Sequence, residues 1–151
     1  MSSTPLKTYD LNEVFLLVGG RRIGGYGEDG GIEFELAADR GEVAVGADGQ
    51  VTFSRTNNNL VMCNITVMET SKSYRDLADL YTTQAAEAPI EALDFLCEDE
   101  INGDKVQDQY ATFVQVPVPS KGRVAGERVF RLALPNAADP TKLKLGQSIT
   151  I

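Results

Sequence analysis

The stretch Leu60-Val61-Met62-Cys63-Asn64-Ile65-Thr66-Val67-Met68-Glu69 decides the fold. Successive side chains of an extended chain point to opposite faces. Val61, Cys63, Ile65 and Val67 therefore share one face, and Met62, Asn64, Thr66 and Met68 share the other. The first face is wholly apolar and needs a core. The second tolerates water or another subunit. The alternation predicts a long strand with one face buried.

Working outward, the period changes just after this strand. Tyr74, Leu77, Ala78, Tyr81 and Ala85 lie on one stripe at helical spacing. Ser71 or Ser73 supplies a cap, with Asp76 three residues after Ser73 as a capping-box partner. Pro89 ends the pattern. A single amphipathic helix in a strand-rich chain is expected across the end or flank of a sheet. Upstream, Val51 to Arg55 has period two and follows the turn signal Gly46-Ala47-Asp48-Gly49, which Val43-Ala44-Val45 precedes. These residues predict a hairpin with its tip at Asp48-Gly49. Thr56-Asn57-Asn58-Asn59 is a polar loop. Ile32 to Leu36 alternates strictly, with acidic Glu33 and Glu35 on one face. Val14 to Val18 is continuous and apolar, so a buried strand is expected, turning at Gly19-Gly20 towards Arg21-Arg22-Ile23.

Downstream, Ile90 to Leu96 is expected to be a strand, and Glu98 to Asp104 a turn with Asn102-Gly103 at its tip. Tyr110 to Val118 and Val129 to Leu134 are expected strands, joined through Pro119-Ser120-Lys121-Gly122. Lys144 to Ile151 predicts a last short strand. Residues 1–151 are expected to form one domain, with 40–59 as an extended hairpin and loop arm.

The length of 151 residues suits one domain with a sizeable core. Hydrophobic residues make up 42% and charged residues 24%, which excludes disorder along the whole chain. The formal net charge of −8 argues against gripping a phosphate backbone or an anionic membrane. It does not argue against letting DNA pass. The first residues lack a charged segment followed by an apolar one, so no signal peptide is expected. The run Val14 to Val18 is too short to span a bilayer. The chain is expected to be made in the cytoplasm and to stay soluble until it meets a partner. Cys63 and Cys97 sit in apolar stretches and are expected as buried, reduced thiols.

Catalytic equipment is missing. The chain has no histidine, which removes the commonest general base, any Ser-His or Cys-His pair and every His-ligated metal site. Two isolated cysteines cannot build a structural zinc site. Gly25-Tyr26-Gly27-Glu28-Asp29-Gly30 matches a dinucleotide fingerprint in form, but a strand pattern follows it and two carboxylates would repel a pyrophosphate. The acidic run Glu98 to Asp104 lacks the spacing of a calcium loop. Asn64-Ile65-Thr66 is a glycosylation sequon inside a strand, and is taken as chance. No catalytic, cofactor or metal residue is assigned, and no enzyme is expected.

The hairpin Gly46-Ala47-Asp48-Gly49-Gln50-Val51, the strand to Met68, then Glu69-Thr70-Ser71 and the helix through Leu77, Leu80 and Tyr81 together resemble phage tail tube proteins of the contractile-tail type. That family shows a G-x-D-G-x-V hairpin, an arm, a strand of the form V-x-I-T-V-x-x-x-T-S and a short L-x-x-L-Y helix. The overlap covers roughly Ile32 to Tyr81. The C-terminal third matches only as generic strands.

The resemblance implies a β-sandwich or half-barrel with one flanking α-helix. It implies six copies in a ring, stacked rings, and neighbouring sheets joined into an inner barrel. It implies a virion tail component assembled in the host cytoplasm, with DNA passing unbound, and with tail sheath and tape-measure proteins as partners. Asp48, Gly49, Asn57, Asn58 and Asn59 are the candidates for contact between rings, and Glu33 and Glu35 for an acidic lumen wall. The alternatives are the tube of a secretion or contractile injection machine, and a monomeric β-barrel that binds a small ligand.

Overall fold

The computed structural model describes residues 14–24, 26, 31–55, 58–86, 92–119, 122 and 126–146. The elements are β1 (Phe15–Val18), β2 (Arg21–Arg22), β3 (Ile32–Leu36), β4 (Gly41–Val45), β5 (Val51–Arg55), β6 (Val61–Met68), α1 (Lys72–Ala86), β7 (Leu93–Asp99), β8 (Asp104–Gln115) and β9 (Glu127–Leu134). Seven strands make one antiparallel sheet in the order β2-β1-β7-β8-β9-β6-β3, while β4 and β5 pair with each other in a separate two-stranded sheet.

The long strand β8 shapes the sheet. Its first half pairs with β7, from Asp99↔Asp104 to Leu93↔Ala111. Its second half pairs with β9, through Thr112↔Ala133 and Phe113↔Leu132. The register slips once in each pairing, between Leu93 and Phe95 and between Phe113 and Gln115. Such irregularities bend a strand and add twist. The sheet consequently curls until Phe34 on β3 meets Phe95 on β7 edge-on, with ring centroids 6.0 Å apart. The result is the mostly β sandwich or half-barrel with one helix that the sequence led us to expect.

The helix α1 lies over the concave side. Tyr74 meets Phe130 and Tyr81 meets Phe113, at centroid separations of 6.0 and 5.9 Å. Leu80 fits against Gly19, where a Cβ would come within 2.8 Å of a leucine methyl and where φ is +57°. Glycine meets both demands there. Ser71 is the cap: its Oγ accepts the Tyr74 N–H at 3.2 Å and donates to the Met68 carbonyl at 2.7 Å. Ser73 serves elsewhere, accepting the Gly24 N–H at 2.8 Å.

The inward face of β6 is the floor of the core. Val61, Cys63, Ile65 and Val67 are buried, with Leu16, Val18, Leu77, Phe130, Leu132 and Leu134 around them. Burying a side chain of this size fully stabilises by roughly 1.5–3 kcal/mol. The two thiols share this environment and are unpaired. Burial pushes the Cys63 thiol well above its ordinary value. Burial first, then the Asp99 and Asp104 carboxylates, pushes Cys97 up to about 12. Both are therefore neutral, unreactive thiols near pH 7.

Several expected boundaries shift. The helix buries Ser73, Leu77, Leu80 and Gln84. The expected stripe is thus rotated, and Tyr81 and Ala85 are exposed. Gln84 is the reason. Its Nε2 donates to the Ala111 carbonyl at 3.3 Å and its Oε1 accepts the Phe113 N–H at 3.1 Å, just where β8 changes partner. Strand β7 continues through Glu98 and Asp99, so the turn shrinks to Glu100–Gly103. Asp99 builds that turn by accepting the Ile101 and Asn102 N–H groups at 3.0 and 3.2 Å. Strand β8 begins six residues before Tyr110, because Val106 and Asp108 also face inward. Asp108 is buried but satisfied, accepting N–H groups of Tyr110 at 2.8 Å and Asn136 at 2.7 Å. Of the expected C-terminal strand, Lys144 forms an antiparallel bridge with Lys105, and residues 147–151 lie outside the described residues. So do Pro89 and most of Gly25 to Gly30.

Candidate functional site

The hairpin β4–β5 is built from the turn outward. Gly49 has φ +84°, open to glycine at no steric cost. The Gly46 N–H donates to the Gln50 carbonyl at 2.7 Å and the Gly49 N–H to the Gly46 carbonyl at 2.9 Å. Asp48 accepts the Gln50 N–H at 3.1 Å, so its carboxylate is turned towards its own loop. At ~3.3 Å per residue the two five-residue strands run for about 17 Å. Their register is Val43↔Phe53 and Val45↔Val51, with Glu42↔Ser54 and Ala44↔Thr52 between. One face thus gathers Val43, Val45, Val51 and Phe53. These four are 59–68% exposed.

The other end of the hairpin is pinned. Arg40 donates to the Asn58 carbonyl at 3.2 Å and, closely, to the Asn59 side-chain oxygen. The Asn59 carbonyl accepts the Ala138 N–H at 3.1 Å, and Asn58 Oδ1 accepts the Leu60 N–H at 3.1 Å. The candidate residues therefore fall into two places. Asp48 and Gly49 form the tip, while Asn58 and Asn59 fasten the base. Asn57 lies outside the described residues.

Glu33 and Glu35 project from the outer face of β3, paired with Asn64 and Met62 of β6. Arg131 of β9 reaches this face, donating to Glu35 at 2.7 Å and to Asn64 at 3.2 Å. Glu127 opposes Met68 on the same face. Three carboxylates thus stand against one guanidinium, and Glu35 shares that guanidinium. The β3 edge away from β6 and the short β2 are the two ends of the sheet.

Beside β3 lies an apolar groove of about 340 Å³, lined by Ile32, Phe34, Leu36, Leu143 and Leu145 among others. Among the described residues no group of three or more His, Cys, Asp or Glu side chains could hold a metal ion, and no helix is long and apolar enough to cross a membrane. The arrangement offers sheet ends, an apolar arm and an apolar groove, which suit assembly. The arm's four-residue apolar face was missed by sequence reasoning, although the period-two reading of Val51 to Arg55 already contained half of it.

A comparison with curated proteins gives no match. The model of a family described as Bacteriophage PhiTE tail tube protein matches residues 8–130, which takes in the arm, the helix and the sheet as far as Phe130. With most of its length matched, the chain belongs to this family of phage tail tube proteins.

Proposed function

We propose that the chain forms closed rings that stack into the hollow inner tube of a contractile phage tail, through which DNA leaves the capsid. The observation that carries this reading is the exposed apolar face of the β4–β5 arm in a tail tube family member. Four large apolar side chains on a hairpin that, among the described residues, pairs with itself alone are a liability in a monomer and an asset in an assembly. Within a ring, the β3 edge of one copy meets the β2 end of the next, so that six curled sheets join into a barrel. Between rings, the arm reaches the adjacent copy, with Asp48 and Gly49 at the contact and Asn58 and Asn59 at its root.

Closure by rotation within a ring and open-ended stacking along the axis are the two heterologous contacts a tube needs. The outer face bearing Glu33 and Glu35 lines the lumen. Its excess of carboxylates repels DNA phosphates and keeps passage free of adsorption. The subunit catalyses nothing. The tail sheath surrounds it, a tape-measure protein occupies it before ejection, and assembly takes place in the host cytoplasm.

Negative-stain electron microscopy of the purified chain tests this reading. Doughnuts or hollow tubes are expected. A monomer at every concentration, in line with the rival of a β-barrel ligand binder, would refute it. A positive potential along the lumen of a solved tube would remove the acidic-wall part alone.

A further inference from the structure

The groove beside β3 and the apolar face of the arm are both open in the same chain, so neither covers the other. Their chemistry matches. The groove wall is apolar, from Ile32, Phe34 and Leu36 on one side to Leu143 and Leu145 on the other, and Glu35, Asp99 and Asp104 also line it. Asp99 accepts N–H groups of its own turn and Asp104 accepts the Gly146 N–H at 3.0 Å. The arm presents Phe53 between valines. Arg55 follows two residues later on the same strand, hence on the same face. A dry apolar cavity of ~150 Å³ is enough to take up benzene. The groove, at about 340 Å³, has room for the Phe53 ring and a neighbouring valine.

Building on the tube reading above, we propose that this groove is the seat of a second copy's arm. Phe53 enters between β3 and the Leu143–Leu145 segment, and Arg55 stands over Asp99 and Asp104. A second copy is the occupant because it carries an exposed arm whose apolar face, with Arg55 beside it, suits an apolar groove that also holds carboxylates. A contact between two different patches of one molecule closes into a ring where the rotation allows and otherwise repeats along an axis, as stacking requires. It also places a buried aromatic at the centre with a charged pair beside it, the usual anatomy of a specific interface.

Mixing two chains tests this, each with Cys63→Ala and Cys97→Ala so that the added thiol is its sole cysteine. One carries Phe53→Cys and the other Leu145→Cys; the control partner carries Arg75→Cys on the exposed side of the helix. After mild oxidation, non-reducing electrophoresis should show disulfide-linked pairs of the first two chains in about tenfold excess over the control pair, because docking raises the local thiol concentration. Val45→Cys, which leaves Phe53 in place, repeats the test should losing the ring weaken docking. Equal cross-linking with both partners, or none from either arm position while the chains still form tubes, overturns this seat and leaves the tube standing. A chain carrying both Phe53→Cys and Leu145→Cys that closes internally as a monomer also overturns it. A wild-type chain that forms no rings or tubes brings down both readings.

Discussion

Strand β6 and the hairpin β4–β5 are written in the same alternating code but meet opposite fates. In β6 every second residue from Val61 to Val67 is buried, while in the hairpin Val43, Val45, Val51 and Phe53 stand mostly in water. The difference lies in what covers each face. The apolar side of β6 meets β1, β7 and the helix around one core, whereas among the described residues the hairpin's two strands pair only with each other. Alternation in sequence therefore announces a face that needs covering, without saying which chain covers it.

The sharpest way to break this comparison is to place one charge on each face. Ile65→Asp strands a carboxylate in the core and should cost more than about 4 kcal/mol, enough to abolish the folded signal in circular dichroism. Val51→Asp should leave monomer stability within about 0.5 kcal/mol in the same melt, since it buries nothing. Similar losses from both would erase the distinction. Next in size is Gln84→Ala. It removes two backbone partners at the bend of β8 and should cost about 2 kcal/mol in urea unfolding, with no counterpart anywhere in the arm.

High pH separates the regions more gently. The Cys97 thiol is raised in the fold, so the folded chain holds this proton more tightly than the unfolded one. Its stabilisation is whole below the ordinary value of 9.0 and is lost as pH climbs towards about 12. Relative to Cys97→Ala, the wild type should lose roughly 1 kcal/mol per pH unit in that window, read from urea midpoints. An arm-face substitution should show no such difference. The smallest effect expected is that of Ser71→Ala, about 1 kcal/mol by thermal melt, from loss of the helix cap.

The elements were legible wherever period and burial coincide. Strand β6, the hairpin tip and the cap region of α1 follow from spacing and turn chemistry alone. Two of the misplacements share one cause, a polar residue turned inward because a backbone group needs it. Gln84 rotates the apparent helical stripe, and Asp108 hides the start of β8 by interrupting its apolar alternation. At the site, Asp48 and Gly49 were visible as turn formers. The role of Asn58 and Asn59 as fasteners depends on Arg40, 18 and 19 residues away, and no local pattern carries that. The groove was invisible for a similar reason, since β3 and Leu145 are brought together by long-range contacts, the bridge between Lys105 and Lys144, the Gly146 N–H bond to Asp104 and the curl of the sheet.

The most direct measurement is sedimentation velocity on the wild-type chain beside a Val43→Asp, Val51→Asp double variant, with thermal melts of both. The wild type should sediment as rings or tubes and the variant as a folded monomer with an unchanged midpoint. Identical sedimentation of the two, assembled or not, would contradict the view that a sister chain covers the arm.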